Sequence, residues 1–449
     1  MNKTTFKSHF ILFVLISICI YTNSLFAQQT NSNNKDESIR QKSEIAENVR
    51  KSGDLDKAIK LLNEIIQEQP KFFGPYYSRG LAYMDLKKFD LAVADFSKAI
   101  ELQPNVPFFY YNRGMGYVYL EKYDLAVPDF TELIKLAPHN ISGYMNRATT
   151  YQKLKKYDLS ISDYSKAIEL EPNNWDIYLY RGITHSENNN FELALADFSK
   201  AIELNPTAER IYFERGNIYL QLKKLDSALN DANKMITLNT NSINGYTFRG
   251  RCFIELGNYK KALEDYDKVV DLDPDYFAVY VYKSFLFFKL EDFEGLIRES
   301  AKSIELNPDD AMSYNNRGYG YLRLNKPSLA EADINKALSL EPNLALAINN
   351  RGLLRIKQNK LDLAMKDIEA AAKLDPAIPE IYLNKGLIFF AKKLYQKAVV
   401  EFGKAIQLEA NLAIAFEERA KCYQKLKNDR KAKMDYEKAK ELREKIKNQ

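Results

Sequence analysis

Reactive side chains are scarce in this chain: its 449 residues include 3 histidines, 3 cysteines and 1 tryptophan. No HExxH pair, no glycine-rich phosphate loop and no nucleophile elbow with triad partners occurs. Beyond the first 27 residues only His139 and His185 remain, and neither has an acid or nucleophile partner at motif spacing. The only cysteines beyond that point, Cys252 and Cys422, do not fall into any metal-type spacing. These absences exclude the usual enzyme classes, and no cofactor or metal is expected. Charge of one sign is also missing. Lys and Arg number 65 against 60 Asp and Glu, a net +5 that gives no footprint for a nucleic acid.

Long hydrophobic runs are confined to the N-terminus. Lys3 and Lys7 precede an apolar stretch, Phe10–Ile20, followed by Asn23-Ser24-Leu25-Phe26-Ala27. That stretch is shorter than the roughly 20 residues a membrane span needs, and reads as a secretory signal over 1–27. Cleavage after Ala27 is expected, although Leu25 is larger than the small residue usual there. Two alternatives stay open: lipidation at Cys19, against which Ile18 counts, and retention as an uncleaved anchor. Export to the periplasm or beyond, with possible envelope association, follows. Residues 28–38 (QQTNSNNKDES) form a polar leader with nothing to bury.

What the chain does have is a clock of 34 residues. Arg-Gly recurs at Arg79-Gly80, Arg113-Gly114, Arg181-Gly182, Arg215-Gly216, Arg249-Gly250, Arg317-Gly318 and Arg351-Gly352. Arg147-Ala148, Lys283-Ser284, Lys385-Gly386 and Arg419-Ala420 keep the same register. Proline keeps it too, at Pro70, Pro104, Pro138, Pro172, Pro206, Pro274, Pro308, Pro342 and Pro376. Twelve units follow without insertion or deletion: 39–72, 73–106, 107–140 and onward at the same step to 413–446, with 447–449 as a tail.

Within 73–106, the apolar and small residues Tyr76, Tyr77, Gly80, Leu81 and Tyr83 have helical spacing. A second helix opens near Asp90, buries Leu91, Ala92, Phe96, Ala99, Ile100 and Leu102, and ends before Pro104. Lysines between the helices (Lys87, Lys88, Lys122, Lys155, Lys156, Lys223, Lys224, Lys326, Lys360, Lys393) are expected to close the first helix, where a cation suits the dipole. Pro128 is expected in the first turn of its helix. Cys252 and Cys422 lie five units apart, too far for a disulfide, and read as buried thiols.

The series Tyr76, Gly80, Tyr83, Ala92, Phe96, Ala99 and Pro104 resembles the tetratricopeptide repeat family, and the resemblance covers about nine-tenths of the chain. It implies an all-α fold, a right-handed superhelical solenoid of antiparallel helix pairs with a concave groove. It also implies partner binding rather than catalysis. In such arrays the first helix of each unit lines the groove, and an asparagine at its sixth position often holds an extended peptide backbone. That position here carries Asn112, Asn146, Asn316, Asn350 and Asn384, with Tyr77, Tyr111, Asn315 and Asn349 one residue earlier. Asparagine offers a donor and an acceptor, matching a peptide unit without demanding a sequence.

The arginine of Arg-Gly has its own correlate. Arg79, Arg113, Arg147 and Arg181 are each followed sixteen residues later by an aspartate: Asp95, Asp129, Asp163 and Asp197. Where the base is lysine the acid is glutamate: Lys283 with Glu299, Lys385 with Glu401. In the first unit both places are apolar, Ile45 and Leu61. Because the two positions change together, eleven partly buried ion pairs are expected, one joining the helices of each later unit. Removing one partner should cost about 3–5 kcal/mol if burial is deep.

Three places depart from the pattern. Unit 277–310 carries Ser284, Leu296, Ser300 and Ser303 at consensus positions, and adds Phe285, Phe287 and Phe288; it reads as a joint or as a contact surface. His185 replaces a tyrosine and reads as packed. Residues 421–449 hold eleven Lys or Arg against five acids, a polar cap with membrane contact as the lesser alternative. The expectation is an exported scaffold that binds a protein or an extended peptide. Two others remain: an envelope-associated structural factor held by the basic tail or the N-terminus, and a non-catalytic subunit of a separate enzyme.

Overall fold

Three residues between two amphipathic helices determine how each repeat turns. In 73–106 the first helix, Phe73–Asp85, ends at Leu86, and the second, Phe89–Leu102, begins at once. The Lys87 N–H donates to the Met84 carbonyl at 2.9 Å and the Lys88 N–H to Tyr83 at 2.8 Å. These bonds are the paired signature of a helix closed by a left-handed residue. Lys87 supplies that residue at φ +58°, as Glu121, Lys155, Asn189, Lys223, Glu291, Asn325, Asn359, Lys393 and Lys427 do at the same step. Only Gly257 and, in the first unit, Gly53 put a glycine there.

This geometry corrects the role expected of several lysines. Lys122, Lys156, Lys224, Lys326 and Lys360 do not close a first helix; each is the residue that starts the second one. There a cation faces the positive end of the dipole. Lys122 and Lys156 instead reach the preceding unit, at 3.2 Å from Asp90 and 3.9 Å from Asp124. Pro128 is displaced as well. Its helix runs Tyr123–Leu136, so the proline sits in the second turn, where the ring removes the bond its N–H would have made.

A computed structural model describes residues 34–447, and the signal assigned to 1–27 lies outside them. Among the described residues there are twenty-four helices and no strand. The first helix starts at Asn34, inside the stretch read as a polar leader. From 73 to 425 each unit pairs a first helix of 13 residues with a second of 14; the last helix, Asp429–Lys447, is longer. The result is an all-α solenoid of antiparallel helix pairs. It divides into two bodies, 34–214 and 215–447.

Within each body the core is laid down unit by unit. Gly80 lets the two helices close on Phe96: a Cβ there would stand 2.6 Å from the ring. Gly386 faces Phe402 in the same way at 2.5 Å. Phe96, Phe130, Tyr164, Phe198, Tyr266 and Phe402 are all fully buried. The aromatic at the fourth position ties the unit to the proline before it: Tyr76, Tyr178, Tyr280 and Tyr382 each donate the phenol to the carbonyl of Pro70, Pro172, Pro274 and Pro376, at 2.8–3.1 Å. No described helix is long and apolar enough to cross a membrane.

Candidate functional site: the paired charges and the asparagine positions

The arginines lie on first helices and the acids on second helices, sixteen residues on, which places each pair across the cleft between the two. Arg79 holds Asp95 through two bonds, Nε to Oδ2 at 2.8 Å and Nη2 to Oδ1 at 2.7 Å. Arg113 with Asp129, Arg147 with Asp163 and Arg181 with Asp197 repeat this fork at 2.6–2.9 Å. Arg215 with Asp231, Arg249 with Asp265, Arg317 with Asp333, Arg351 with Asp367 and Arg419 with Asp435 make the same fork at 2.6–3.1 Å. The lysines pair singly, Lys283 with Glu299 at 3.2 Å and Lys385 with Glu401 at 3.0 Å. All eleven aligned positions are joined. Hydrogen bonding to Asp95 raises the Arg79 guanidinium, while burial pushes the Asp129, Asp231 and Asp265 carboxyls up.

The remaining guanidinium nitrogen does something that pairwise reading of the sequence missed. It reaches back sixteen residues to the second helix of the preceding unit. Arg113 Nη1 donates to Ser97 at 3.2 Å, Arg147 to Thr131 at 3.0 Å and Arg181 to Ser165 at 3.0 Å. Arg79 meets Asn63 and Arg249 meets Asn233. Lys283 finds Asp267 at 2.9 Å. Each such base therefore fastens three helices, with both acid oxygens used in the forked pairs. A planar five-donor group suits this task better than an ammonium. The signal was present as a polar residue sixteen positions before each of these bases.

The asparagines separate into two groups. In 311–391 they are consumed internally. Asn350 Nδ2 donates to Asn315 Oδ1 at 2.8 Å, and Asn384 Nδ2 to Asn349 Oδ1 at 2.9 Å. Asn315, Asn349, Asn350 and Asn384 are only 3, 2, 5 and 3% exposed. First helices pack directly on one another here, and a buried amide must be bonded by its neighbour. These four residues therefore stitch adjacent units and do not line an open groove, which corrects the sequence reading. Tyr77 is corrected similarly: it is 6% exposed, packed on Phe96 and Phe109. Its hydroxyl accepts from Asn112 at 3.1 Å. Asn316 is half-buried, with its Oδ1 accepting from Asn315 at 3.3 Å.

Asn112 and Asn146 differ. Both are half-buried, and each donates Nδ2 to a carbonyl of its own helix four residues back, Phe108 and Ser142, at 2.8 Å. That bond fixes the amide orientation, and Asn112 Nδ2 also reaches the Tyr77 hydroxyl of the preceding unit. Among the described residues no donor reaches either oxygen. Tyr111 and Tyr180 are half-buried at neighbouring positions.

His185 is buried, with Nε2 3.9 Å from Asp197 Oδ2, and burial holds its pKa below the ordinary value. Cys252 and Cys422 are buried free thiols whose pKa values burial pushes up to about 12. Among the described residues no acid, histidine or cysteine cluster could hold a metal. The sequence also gave no hint of two long-range ion pairs inside the second body. Lys289 meets Glu409 at 2.8 Å, and Glu291 meets Arg443 at 2.6 Å.

Comparison with known families agrees with the repeat clock. Models described as tetratricopeptide repeat match residues 75–106, 141–174 and 243–276, and again 109–140, 209–242, 311–344 and 414–446. Further models of the same repeat match 164–196, 184–223 and 349–411. None of these stretches enters 277–310. A comparison with curated proteins finds no match. Similar solved structures include a tetratricopeptide repeat protein from Parabacteroides merdae, 20% identical over 56% of this chain and 98% of its own, with a TM-score of 0.45. The Cut9-Hcn1 hetero-tetramer of the APC/C is 13% identical over 96% and 98%, TM-score 0.45. YrrB, titled a TPR protein with an unusual peptide-binding site, is 22% identical over 42% and 97%, TM-score 0.35.

Proposed function

Because this chain belongs to the tetratricopeptide repeat family, a family of protein–protein interaction scaffolds, we propose that it is an exported scaffold and that its first body holds an extended segment of a partner protein. The observation that carries this reading is the pair Asn112 and Asn146. Their amide nitrogens are tied to their own helices, that of Asn112 also to the Tyr77 hydroxyl, and no described donor reaches either Oδ1. An extended peptide offers N–H donors on one edge at regular spacing, and two fixed acceptors one repeat apart can take them without reading side chains. Tyr111, the residue before Asn112, is also half-buried. The equivalent Asn350 and Asn384 of the second body are buried, whereas Asn112 and Asn146 are half-buried, so the first body is the better candidate.

Export rests on the N-terminal pattern. The basic tail gives little support to a membrane role, since Arg443 is engaged by Glu291 and Glu417 and Lys438 by Glu441. The test is site-specific photocrosslinking in the native host, with benzoylphenylalanine at Tyr111 or, as control, at Leu363, which is exposed on the second body. A discrete adduct at 111, absent at 363 and lost in N112A/N146A, is expected. Equal adducts at both sites, or survival in the double variant, would remove the first body from the proposal. Mass spectrometry of the purified native protein should find Gln28 as its first residue.

A further inference from the structure

The second body contains contacts that a nearest-neighbour solenoid does not need. The first helix of 277–310, Phe277–Lys289, and the turn after it meet residues 120 and 152 positions further on. Lys289 Nζ donates to Glu409 Oε1 at 2.8 Å, at the end of the second helix of 379–412. Glu291, the left-handed turn residue, accepts from Arg443 Nη1 at 2.6 Å. The other two nitrogens of Arg443 fork onto Glu417. One guanidinium thus joins the last helix, the helix before it and a turn four units upstream.

Of the residues that make 277–310 a poor repeat, Phe285 and Phe288 stand at this contact. Its interior is light: Ser284 and Ser300 bond at 3.2 Å where five other units, 73–106 among them, place glycine against an aromatic ring. Its bulk lies elsewhere. Lys289 lies over the rings of Phe285 and Phe288, at 5.8 and 5.7 Å, and Phe288 packs on Tyr319 at 5.4 Å. Between the two sides is a cavity of about 130 Å³ whose walls include Tyr259, Phe288, Tyr319, Glu380 and Leu442. The Glu380 carboxyl stands there with its pKa raised by burial and by Glu409, against which Lys289 acts.

We propose that these contacts form a reversible clasp, in which 277–310 is the seat and 379–446 the arm that closes on it. The contact surface is therefore the chain's own C-terminal part. Closure rests on a small set of bonds. The side chains of the two long-range ion pairs keep between 27 and 35% of their surface in solvent, so salt screens them. The cavity leaves the apolar contact incomplete. A device of this kind opens on modest perturbation, and opening uncovers Phe288, Tyr319 and Glu380. It goes beyond the proposed function, which concerns the first body.

The experiment measures the clasp directly in the chain from residue 28 onward. Spin labels at E294C and K440C, both exposed, bracket it. The buried native thiols stay unlabelled. Electron–electron resonance should give one short distance in 50 mM NaCl. A longer population should appear and grow at least threefold in 1 M NaCl, and should dominate in K289E and in R443E at low salt. The charge swap K289E/E409K should restore the short distance. Unchanged distances in both single variants, with circular dichroism unaltered, would overturn the clasp. Failure of the swap to restore the short distance would overturn it too, because the opening would then owe nothing to the ion pair.

Discussion

Replacing Asp197 with alanine strips the Arg181 guanidinium of two charge-assisted bonds, at 2.9 and 2.7 Å, and leaves it one bond to Ser165 at 3.0 Å. The aspartate side chain is 8% exposed and the arginine 22%. A fully buried charge that loses its partner costs about 3–5 kcal/mol. Here a fifth of the arginine surface already meets water and the head group can turn outward, so the expected cost is about 2–3 kcal/mol. In a repeat array such a loss is felt by the unit and its neighbours before it is felt by the whole chain. Hydrogen exchange is therefore the assay. D197A should deprotect the helices Trp175–Glu187 and Phe191–Leu204, with lesser loss in Tyr157–Leu170, which Arg181 also fastens. R181A strands the more deeply buried Asp197 and should cost at least as much, and a double-mutant cycle should give coupling of about 1–3 kcal/mol. R181M/D197L, which removes both charges and keeps volume, should recover most of the loss. Unchanged protection in D197A, or coupling under about 0.5 kcal/mol, would refute the argument.

Other expectations concern single positions. Lys87 holds φ +58°, so K87G should stabilise by about 0.5–1 kcal/mol, the left-handed penalty less the added freedom of glycine when unfolded; G257A should destabilise by about 1 kcal/mol. Urea unfolding of each variant against wild type checks both. P128A should stabilise by about 1–3 kcal/mol, read the same way, because it returns an N–H to a helix interior. His185 has its pKa lowered by burial, so the unfolded chain binds the proton more readily. Its contribution to stability is present above the unfolded value near 6.5 and is lost as pH falls below it; in H185Q the slope of stability against pH between about 7 and 5 should flatten. Cys252 and Cys422, raised to about 12, should resist a thiol reagent at pH 8 in the native chain and react in guanidinium.

Much of the fold was legible because its determinants recur within short separations. Gly80 against Phe96 and Tyr76 against Pro70 are contacts sixteen and six residues apart, and a 34-residue clock repeats them with little change. The charge pairs were readable for a further reason: Lys283 comes with Glu299 where arginine comes with aspartate, so the units compare themselves. The lysines that start second helices were misread because nothing in the sequence marks the residue just before them as the left-handed one that closes the first helix. The backbone closes at that residue whatever its side chain, as glutamate and asparagine at the same step show.

The asparagines mark where the sequence stopped being sufficient. At the level of residue type Asn146 and Asn350 are the same, yet one is half-buried and bonded to its own helix and the other is buried on Asn315. Which occurs depends on how closely neighbouring first helices approach, and that is set by every side chain between them. The contacts of Lys289 with Glu409 and of Glu291 with Arg443 carry the point furthest. Sequence alone determined the repeat, its helices and the partners sixteen residues apart, because a regular backbone period places such residues together. Tertiary structure alone decided the closure of 277–310 on 379–446. That contact sums the small rotations of several successive units, and no single residue encodes the sum.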